Sequence, residues 1–425
     1  MRKIWYWYKH QSFMLKITAG FILGLIIGLI FGPSSQFLAP LGQIFMNLLK
    51  MIVIPLIFLS LMVAVNHSAP QELGRIGMKI LPVYLFFTAI AIFLGVAIAK
   101  MTNPSVGLTL PSDVSITVPE SPSFISTIIN MIPTNIVQAM ADGNVLSVVF
   151  LAIIVGLPVL YMRHSQDQKQ QEMGNTLMKF VEAANEVVLK ILNGILQYAP
   201  IGVLGITAST IGSQGIDTLI ALGKFVLTSY IGVILLIVIV YPLALRLYGV
   251  PILKFYNNIK EAVMTSFVTS SSLGTLPISI NAAKKAGIDE RIANLTLPIG
   301  ATINMNGTAL RFGVGVIFAA EIMGIHLGIP EILSIVIIGT LAAVGTAGVP
   351  GAGLIGMSIV FTQAGLPIEI VALTAGINAL VDMIFTMGNV TGDLVAAKIV
   401  DQSEKRLLLK QSATKVTKEL ASHSN

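Results

Sequence analysis

The 425-residue chain contains no cysteine. That excludes a disulfide framework and any thiolate-based metal or redox site. Charge is also scarce: Asp, Glu, Lys and Arg make up 11% of the residues, whereas 55% are hydrophobic and the mean hydropathy is +0.85. A soluble core does not need so much apolar residue, so the class is a polytopic membrane protein. No GxxxxGK loop occurs, so ATP-driven pumping is not indicated. The histidines (His10, His67, His164, His326 and His423) all fall in predicted loops or tails, which leaves no Ser–His or His/Glu set at membrane depth. The formal net charge is +6. It is not a nucleic-acid signal, because the basic residues cluster at the ends of apolar runs, as cytoplasmic flanks do.

What is present is a series of apolar runs long enough to cross a bilayer. The opening MRKIWYWYKHQSFMLK lacks a small-residue cleavage site and reads as a retained interfacial segment with Trp5, Tyr6, Trp7 and Tyr8 at headgroup level. Spans follow at 17–32, 40–65 and 80–99. Lys50 in the second is read as snorkelling or facing protein, and Pro55 as a kink. Residues 102–123 are rich in Pro and Ser, lack Lys and Arg, and mark an outside loop. A fourth region, 125–161, is interrupted by Pro133 and ADGN; HSQDQKQQEMGNT reads as a solvated loop; further regions cover 180–212 and 217–247.

Charge placement then sets the topology. Arg2, Lys3, Lys9 and Lys16, the pair Arg75 and Lys79, and the set Arg246, Lys254 and Lys260 all mark the cytoplasmic side. The apolar segment 261–283 is flanked by basic residues at both ends, with Lys284, Lys285 and Arg291 directly after it. A full crossing would place one cluster outside. A re-entrant hairpin broken at SSSLGTLP satisfies both ends. Residues 333–362 carry no basic flank and are broken at GTAGVPGAG, a second hairpin of opposite orientation. Each is followed by a crossing, 293–324 and 370–397. Two broken elements at matching positions are the trace of an inverted repeat, whose broken segments meet near the midplane and form the binding site.

The last crossing carries a polar stripe. Asn378, Asp382, Thr386, Asn389 and Asp393 are spaced for one helical face, and Phe385 shares it. A carboxylate at mid-bilayer costs about 2.5–3.5 kcal/mol or more, so the default reading is functional: the aspartates meet an ammonium group, a metal cation or a proton. They lie about 16 Å apart along a helix, too far for a shared-proton dyad. The preceding crossing holds PIGATINMNGTALRFG, with Asn304, Thr308 and Arg311 on one face. NMNG is a poor helix interior, and an unwound turn there offers carbonyl oxygens to a hard cation such as Na⁺. Arg311 snorkels, pairs with an aspartate or binds an anion. No ring of repeated filter residues suggests a channel.

SFVTSSSLGTLP, LPIGATINMNGTAL, VGTAGVPGAG and DMIFTMGNVTGDL resemble the four signature stretches of the glutamate transporter family, the dicarboxylate/amino acid:cation symporters. The resemblance covers most of the chain, including LLKMIVIPLIFLSL and the IPTNIVQAM region. It implies an all-α membrane protein of eight transmembrane regions plus two re-entrant helical hairpins, working as an elevator-type homotrimer. Residues 1–260 are then mainly scaffold, with the third span and part of the sixth joining the transport domain. The transport core is 261–397 (hairpin 261–292, crossing 293–324, hairpin 333–368, crossing 370–397), and 398–425 is a solvated, partly helical cytoplasmic tail. The implied location is the inner (plasma) membrane with both termini cytoplasmic, the partners are an amino-acid substrate and lipid, and the coupling ion is Na⁺ or alternatively H⁺. No organic cofactor and no nucleic acid is implied.

By resemblance, Asp382 holds the substrate ammonium, and Ser271, Ser272, Thr308, Thr386, Asn389 and the Val349–Gly353 gate contact the substrate. Gly300, Asn304, Asn389 and Asp393 match one sodium site, and Thr302, Val344 and Thr346 a second. The departures are specific. Phe385 stands where acidic-substrate members have an arginine, so a neutral or apolar amino acid is the expected substrate. Ser270 stands where the first hairpin often has an arginine. Asn306, Phe87 and Asn378 replace an aspartate, a threonine and an aspartate around a third ion site and its surroundings, although Tyr84 and Thr88 remain. Arg311, where a tyrosine is common, either stands in for a bound cation, the reading its one-turn offset from Thr308 favours, or reaches the distal carboxylate of an acidic substrate.

Overall fold

A computed structural model describes residues 13–66, 73–105, 129, 132–143, 145–215, 217–346, 348 and 351–423, and among them every regular element is helical. The elements are α1 (Phe13–Phe31), α2 (Ala39–Val65), α3 (Met78–Thr102), α4 (Ile136–Ala141), α5 (Val145–Arg163), α6 (Gln168–Gln214), α7 (Asp217–Leu235), α8 (Tyr241–Leu247), α9 (Ile252–Thr269), α10 (Ser272–Lys285), α11 (Glu290–Ile303), α12 (Asn306–Ile322), α13 (Ile329–Val344), α14 (Ala352–Gln363), α15 (Ile368–Ala375) and α16 (Asn378–His423). Among the described residues, four stretches are long and apolar enough to cross a membrane: Leu15–Phe45, Arg75–Thr102, Thr218–Leu247 and Asn378–Leu407; the two parts of α6, bent by 44°, make a fifth if they are taken as one span. Pro55 lies inside α2.

Helices α1, α2 and α5 pack on α6, and α2 also packs on α5. The contact between α1 and α6 is close because α1 presents glycine every fourth residue to it. A Cβ on Gly24 would stand 2.6 Å from the Leu204 carbonyl oxygen, and one on Gly28 2.8 Å from that of Ala208. Small residues at this spacing let membrane helices approach backbone to backbone, where dispersion replaces the hydrophobic effect that lipid cannot supply.

The remaining helices build the second group. Helix α3 packs along α12 and also touches α16 and α13, while α7 packs on α16 and α12. Helices α9 and α10 form the first broken pair. Ser270 between them takes a left-handed φ of 50°, and Ser271 caps α10 by accepting from the Gly274 N–H. Lys285 at the far end of α10 pairs with Glu261, midway along α9, at 2.7 Å, so the two run antiparallel. Helices α13 and α14 form the second pair and also pack on each other. Gly351, at φ 83°, precedes α14. The tips of the two pairs are tied together: the Leu273 N–H and Ser271 Oγ both donate to the Gly348 carbonyl at 3.1 Å.

Three boundaries differ from the expectation. The polar stretch after His164 is a solvated loop only to Asp167, which caps α6; from Gln168 the polar residues lie on an exposed helical turn. The last crossing is interrupted at Gly376–Ile377, between α15 and α16. The segment after residue 397 is not solvated from its start. Helix α16 continues without a break, and Asp401 and Glu404 are buried. Asp401 accepts from Lys398 Nζ (3.2 Å), Lys405 Nζ (2.8 Å) and the Asp289 N–H (3.1 Å), while Glu404 pairs with Arg75 and Lys79. Acids and bases at three- and four-residue spacing face neighbouring elements here rather than water, which keeps them paired. Residues 1–12, most of 102–123, Val349 and Pro350 lie outside the described residues, as do the side chains of Lys50 and of residues beyond Leu407.

Gly24→Leu forces side chain into the α1–α6 backbone contact, and overpacking of this kind costs about 1–3 kcal/mol. A thermal melt of the detergent-solubilised protein is expected to show a lower midpoint for this variant. Gly223→Leu, where nothing lies within 4 Å of the new Cβ, should melt like the parent.

Candidate functional site

The polar stripe of α16 faces the breaks in its neighbours. Helix α11 ends and α12 begins at Asn304–Met305, where ψ rises to 68° and 55° and the backbone leaves helical geometry. Asn389 holds this break. Its Oδ1 accepts from the Gly307 N–H at 2.7 Å and from the Thr308 N–H at 3.3 Å, and its Nδ2 donates to Thr308 Oγ1 at 3.2 Å. Gly307 has no room for a side chain, because a Cβ would meet the Phe385 backbone. The amide of Asn389 is therefore spent on the break.

One turn further along, Asp393 faces the end of α11. Asn304 Nδ2 donates to Asp393 Oδ1 at 2.8 Å, and the Asn304 Oδ1 is buried with no hydrogen-bond donor. Gly300 lies against the same carboxylate: a Cβ there would stand 2.6 Å from Asp393 Oδ1 and 2.7 Å from the Tyr84 hydroxyl. Two buried oxygens with at most one donor between them suit a hard cation that takes oxygen ligands. Thr302, Val344 and Thr346, from α11 and the end of α13, line one cavity of about 240 Å³ together with Ser60 and Asn185. The hydroxyls of Thr302 and Thr346 donate to the carbonyls of Ile299 and Ala342 in their own helices. Only their oxygen lone pairs and nearby carbonyls are free to face a ligand.

A second cluster lies around Asn306. Its Oδ1 is 3.0 Å from Thr88 Oγ1, its Nδ2 donates to the Tyr241 hydroxyl at 3.0 Å, and that hydroxyl donates to the Gly388 carbonyl at 3.0 Å. Tyr84 donates to the Thr296 carbonyl at 2.8 Å. Phe87 packs edge-on against Tyr241, with ring centroids 5.4 Å apart. The cluster is neutral and its amide is satisfied at both ends. Tyr241 was absent from the sequence-based set. Its only signal is a tyrosine inside an apolar span, which cannot by itself reveal the partner.

The third constellation contains both charges. Asp382 Oδ2 accepts from the Gly351 N–H at 2.9 Å, so α16 satisfies the second helix break as well. Arg311 has a relative exposure of 0%. Its Nη1 donates to Asn378 Oδ1 at 2.6 Å, while Nε and Nη2 are buried without an acceptor. A Cβ on Gly353 would lie 3.1 Å from Arg311 Nη1, 3.7 Å from Asp382 Oδ1 and 3.7 Å from Thr308 Cγ2. Arg311, Asp382 and Thr308 thus converge on Gly353, which brings a carboxylate and a guanidinium into one neighbourhood. Phe385 is buried beside them, its ring centroid 5.8 Å from Arg311 Cζ. Thr386 Oγ1 donates back to the Asp382 carbonyl at 2.8 Å. Ser272 is buried, and Ser271 serves as cap and tip contact. The structure does not leave Arg311 snorkelling: it lies deep among polar partners, one turn past Thr308 on α12.

The chain is similar along most of its length to known membrane transporters. The model of the sodium:dicarboxylate symporter family matches residues 13–403. A proton/sodium-glutamate symport protein of Geobacillus stearothermophilus is 30% identical over 402 residues, covering 92% of this chain and 94% of that protein. Its counterpart from Bacillus subtilis strain 168 is 28% identical, with 92% of each chain covered. A C4-dicarboxylate transport protein of Xanthomonas campestris pv. campestris is 26% identical, over 94% of this chain and 89% of that one. These relatives are transport proteins and not enzymes. The chain, a multi-pass helical membrane transporter, belongs to the sodium:dicarboxylate symporter family.

Proposed function

We propose that the protein is a cation-coupled symporter for an acidic amino acid or a C4-dicarboxylate, in which Arg311 pairs with a substrate carboxylate. One observation carries this reading: a fully buried guanidinium, packed in the neighbourhood of Asp382, Thr308 and Gly353, keeps two donors unpaired. A buried donor without an acceptor costs about 1–3 kcal/mol, more for a charged group, and a carboxylate removes that cost. The expectation of a neutral substrate rested on Phe385 replacing an arginine. It gives way here, because Arg311 reaches the flank of Phe385 from α12 and returns a cation to the pocket. The glutamate and C4-dicarboxylate specificities in the relatives' names point the same way. The rival reading of Arg311 as a stand-in for a bound cation is weaker, since Arg311 shares no bond with the Asn306 cluster.

Asp382 takes the substrate's ammonium group where one is present, and Ser271, Ser272, Thr386 and the Val349–Gly353 segment enclose it. Sodium binds at Asp393, Asn304 and Gly300, with Asn389 fixing the break beside it, and again at Thr302, Val344 and Thr346. Eight transmembrane regions and two re-entrant hairpins, 261–292 and 333–368, carry these sites in an inner-membrane protein with cytoplasmic termini. The core 261–397, joined by α3 and α7, moves against the α1, α2, α5 and α6 group as an elevator within a homotrimer. The packing of α3 and α7 on α12 and α16 supports that division.

In proteoliposomes holding the purified protein, labelled aspartate, glutamate or succinate is expected to accumulate when a Na⁺ gradient is imposed. Arg311→Gln should weaken competition by these acids at least about tenfold, the loss of a charged hydrogen-bonded pair. Combining Arg311→Tyr with Phe385→Arg should restore it. Preferred uptake of neutral amino acids by the parent protein would overturn the substrate assignment. Asn304→Ala should raise the half-saturating Na⁺ concentration about tenfold or more while leaving competition among substrates unchanged. Uptake that follows a pH gradient and ignores Na⁺ would reassign the coupling ion to H⁺.

A further inference from the structure

Arg311 is held by two residues of another helix. Asn378 accepts from Nη1 at 2.6 Å, and the Phe385 ring lies 5.8 Å from Cζ. Asn378 and Phe385 sit two turns apart on α16, on one face. The division of partners among the guanidinium atoms is informative. Nη1 is used, while Nε and Nη2 are both buried and free. Nε–H and an Nη2–H point in parallel from one edge of the planar group and match the two oxygens of a carboxylate. The protein therefore occupies Nη1 and leaves the Nε–Nη2 edge without an acceptor.

The chemistry of the two supports keeps the charge intact. A primary amide accepts a hydrogen bond without carrying a countercharge. An aromatic ring attracts a guanidinium through its quadrupole and takes no hydrogen bond from it. An aspartate at position 378 would fix Nη1 equally well but would neutralise the cation. Asn378 therefore gives direction without charge compensation, and a pre-directed arginine loses less freedom when it meets its anion.

We propose that Asn378 and Phe385 are specificity-determining positioning residues, which aim the Nε–Nη2 edge of Arg311 at one substrate carboxylate and so set the preference for acids over their neutral analogues. This rests on the reading of Arg311 as the carboxylate partner. The test measures binding, so that a variant that binds without cycling still reports. Full-length protein in detergent, with Na⁺ present, is titrated with aspartate and glutamate and with asparagine and glutamine. Substrate-induced thermal shifts give the acid-over-amide affinity ratio for each variant. Arg311→Gln, Asn378→Ala, Asn378→Asp and Phe385→Leu are compared with the parent.

The expected result is a ratio reduced about tenfold or more in Arg311→Gln and at least about fivefold in both Asn378 variants. Phe385→Leu, which keeps apolar bulk but loses the ring, should fall severalfold. Affinity for the amides should stay within about twofold throughout, which a general loss of structure would not leave in place. A ratio that collapses in Arg311→Gln but is unchanged in the Asn378 and Phe385 variants overturns the positioning role and keeps the carboxylate partner. A ratio unchanged in Arg311→Gln overturns both.

Discussion

A backbone that leaves helical geometry inside an apolar bundle frees N–H and C=O groups that no water reaches, and each one left unpaired costs several kcal/mol. The site described here depends on meeting that constraint. Helix α16 runs unbroken from Asn378 and offers polar side chains at one-turn intervals to broken neighbours. Asn389 takes two N–H groups from the start of α12, and Asp382 takes the Gly351 N–H before α14. One straight helix thus satisfies two irregular ones, and the irregular turns can exist where a ligand is to be held.

The same constraint sorts the buried charges. Asp382 and Asp393 are not paired with Lys or Arg, and Arg311 is bonded to an amide rather than to an acid. Isolated buried ions are expensive, and breaking a buried pair is more so. Here each ion keeps part of its hydrogen-bonding capacity open, as the ligand-binding roles proposed for them require. The Asn306 cluster is the contrast. Its amide, the Tyr241 hydroxyl and the Thr88 hydroxyl complete one another, and the region is neutral and closed. Midway along α16 the ions are instead paired outright. Asp401 and Glu404 bind Lys398, Lys405, Arg75 and Lys79, and Lys398 also donates to the Ala286 and Gly287 carbonyls. These bonds tie the middle of α16 to the segment that enters α3 and to the α10–α11 turn.

Much of this was legible in the chain itself. Hydropathy and the scarcity of charge determined a helical membrane protein. Gly, Ser and Pro inside apolar runs located the breaks, because those residues leave backbone groups exposed or missing wherever they sit. The spacing of Asn378, Asp382, Thr386, Asn389 and Asp393 determined the polar face of α16, since helical periodicity is a property of one segment. The sequence could not show what faces that stripe. Arg311 lies 67 residues from Asn378 in the chain, and only packing of α12 on α16 brings them to 2.6 Å. Read by position, Phe385 meant a pocket without a cation; packing decided otherwise, because a long side chain on a neighbouring helix fills the same space. The burial of Asp401 and Glu404 was hidden for the same reason: a charged tail and a clasp have the same composition, and the difference is whether another element covers it.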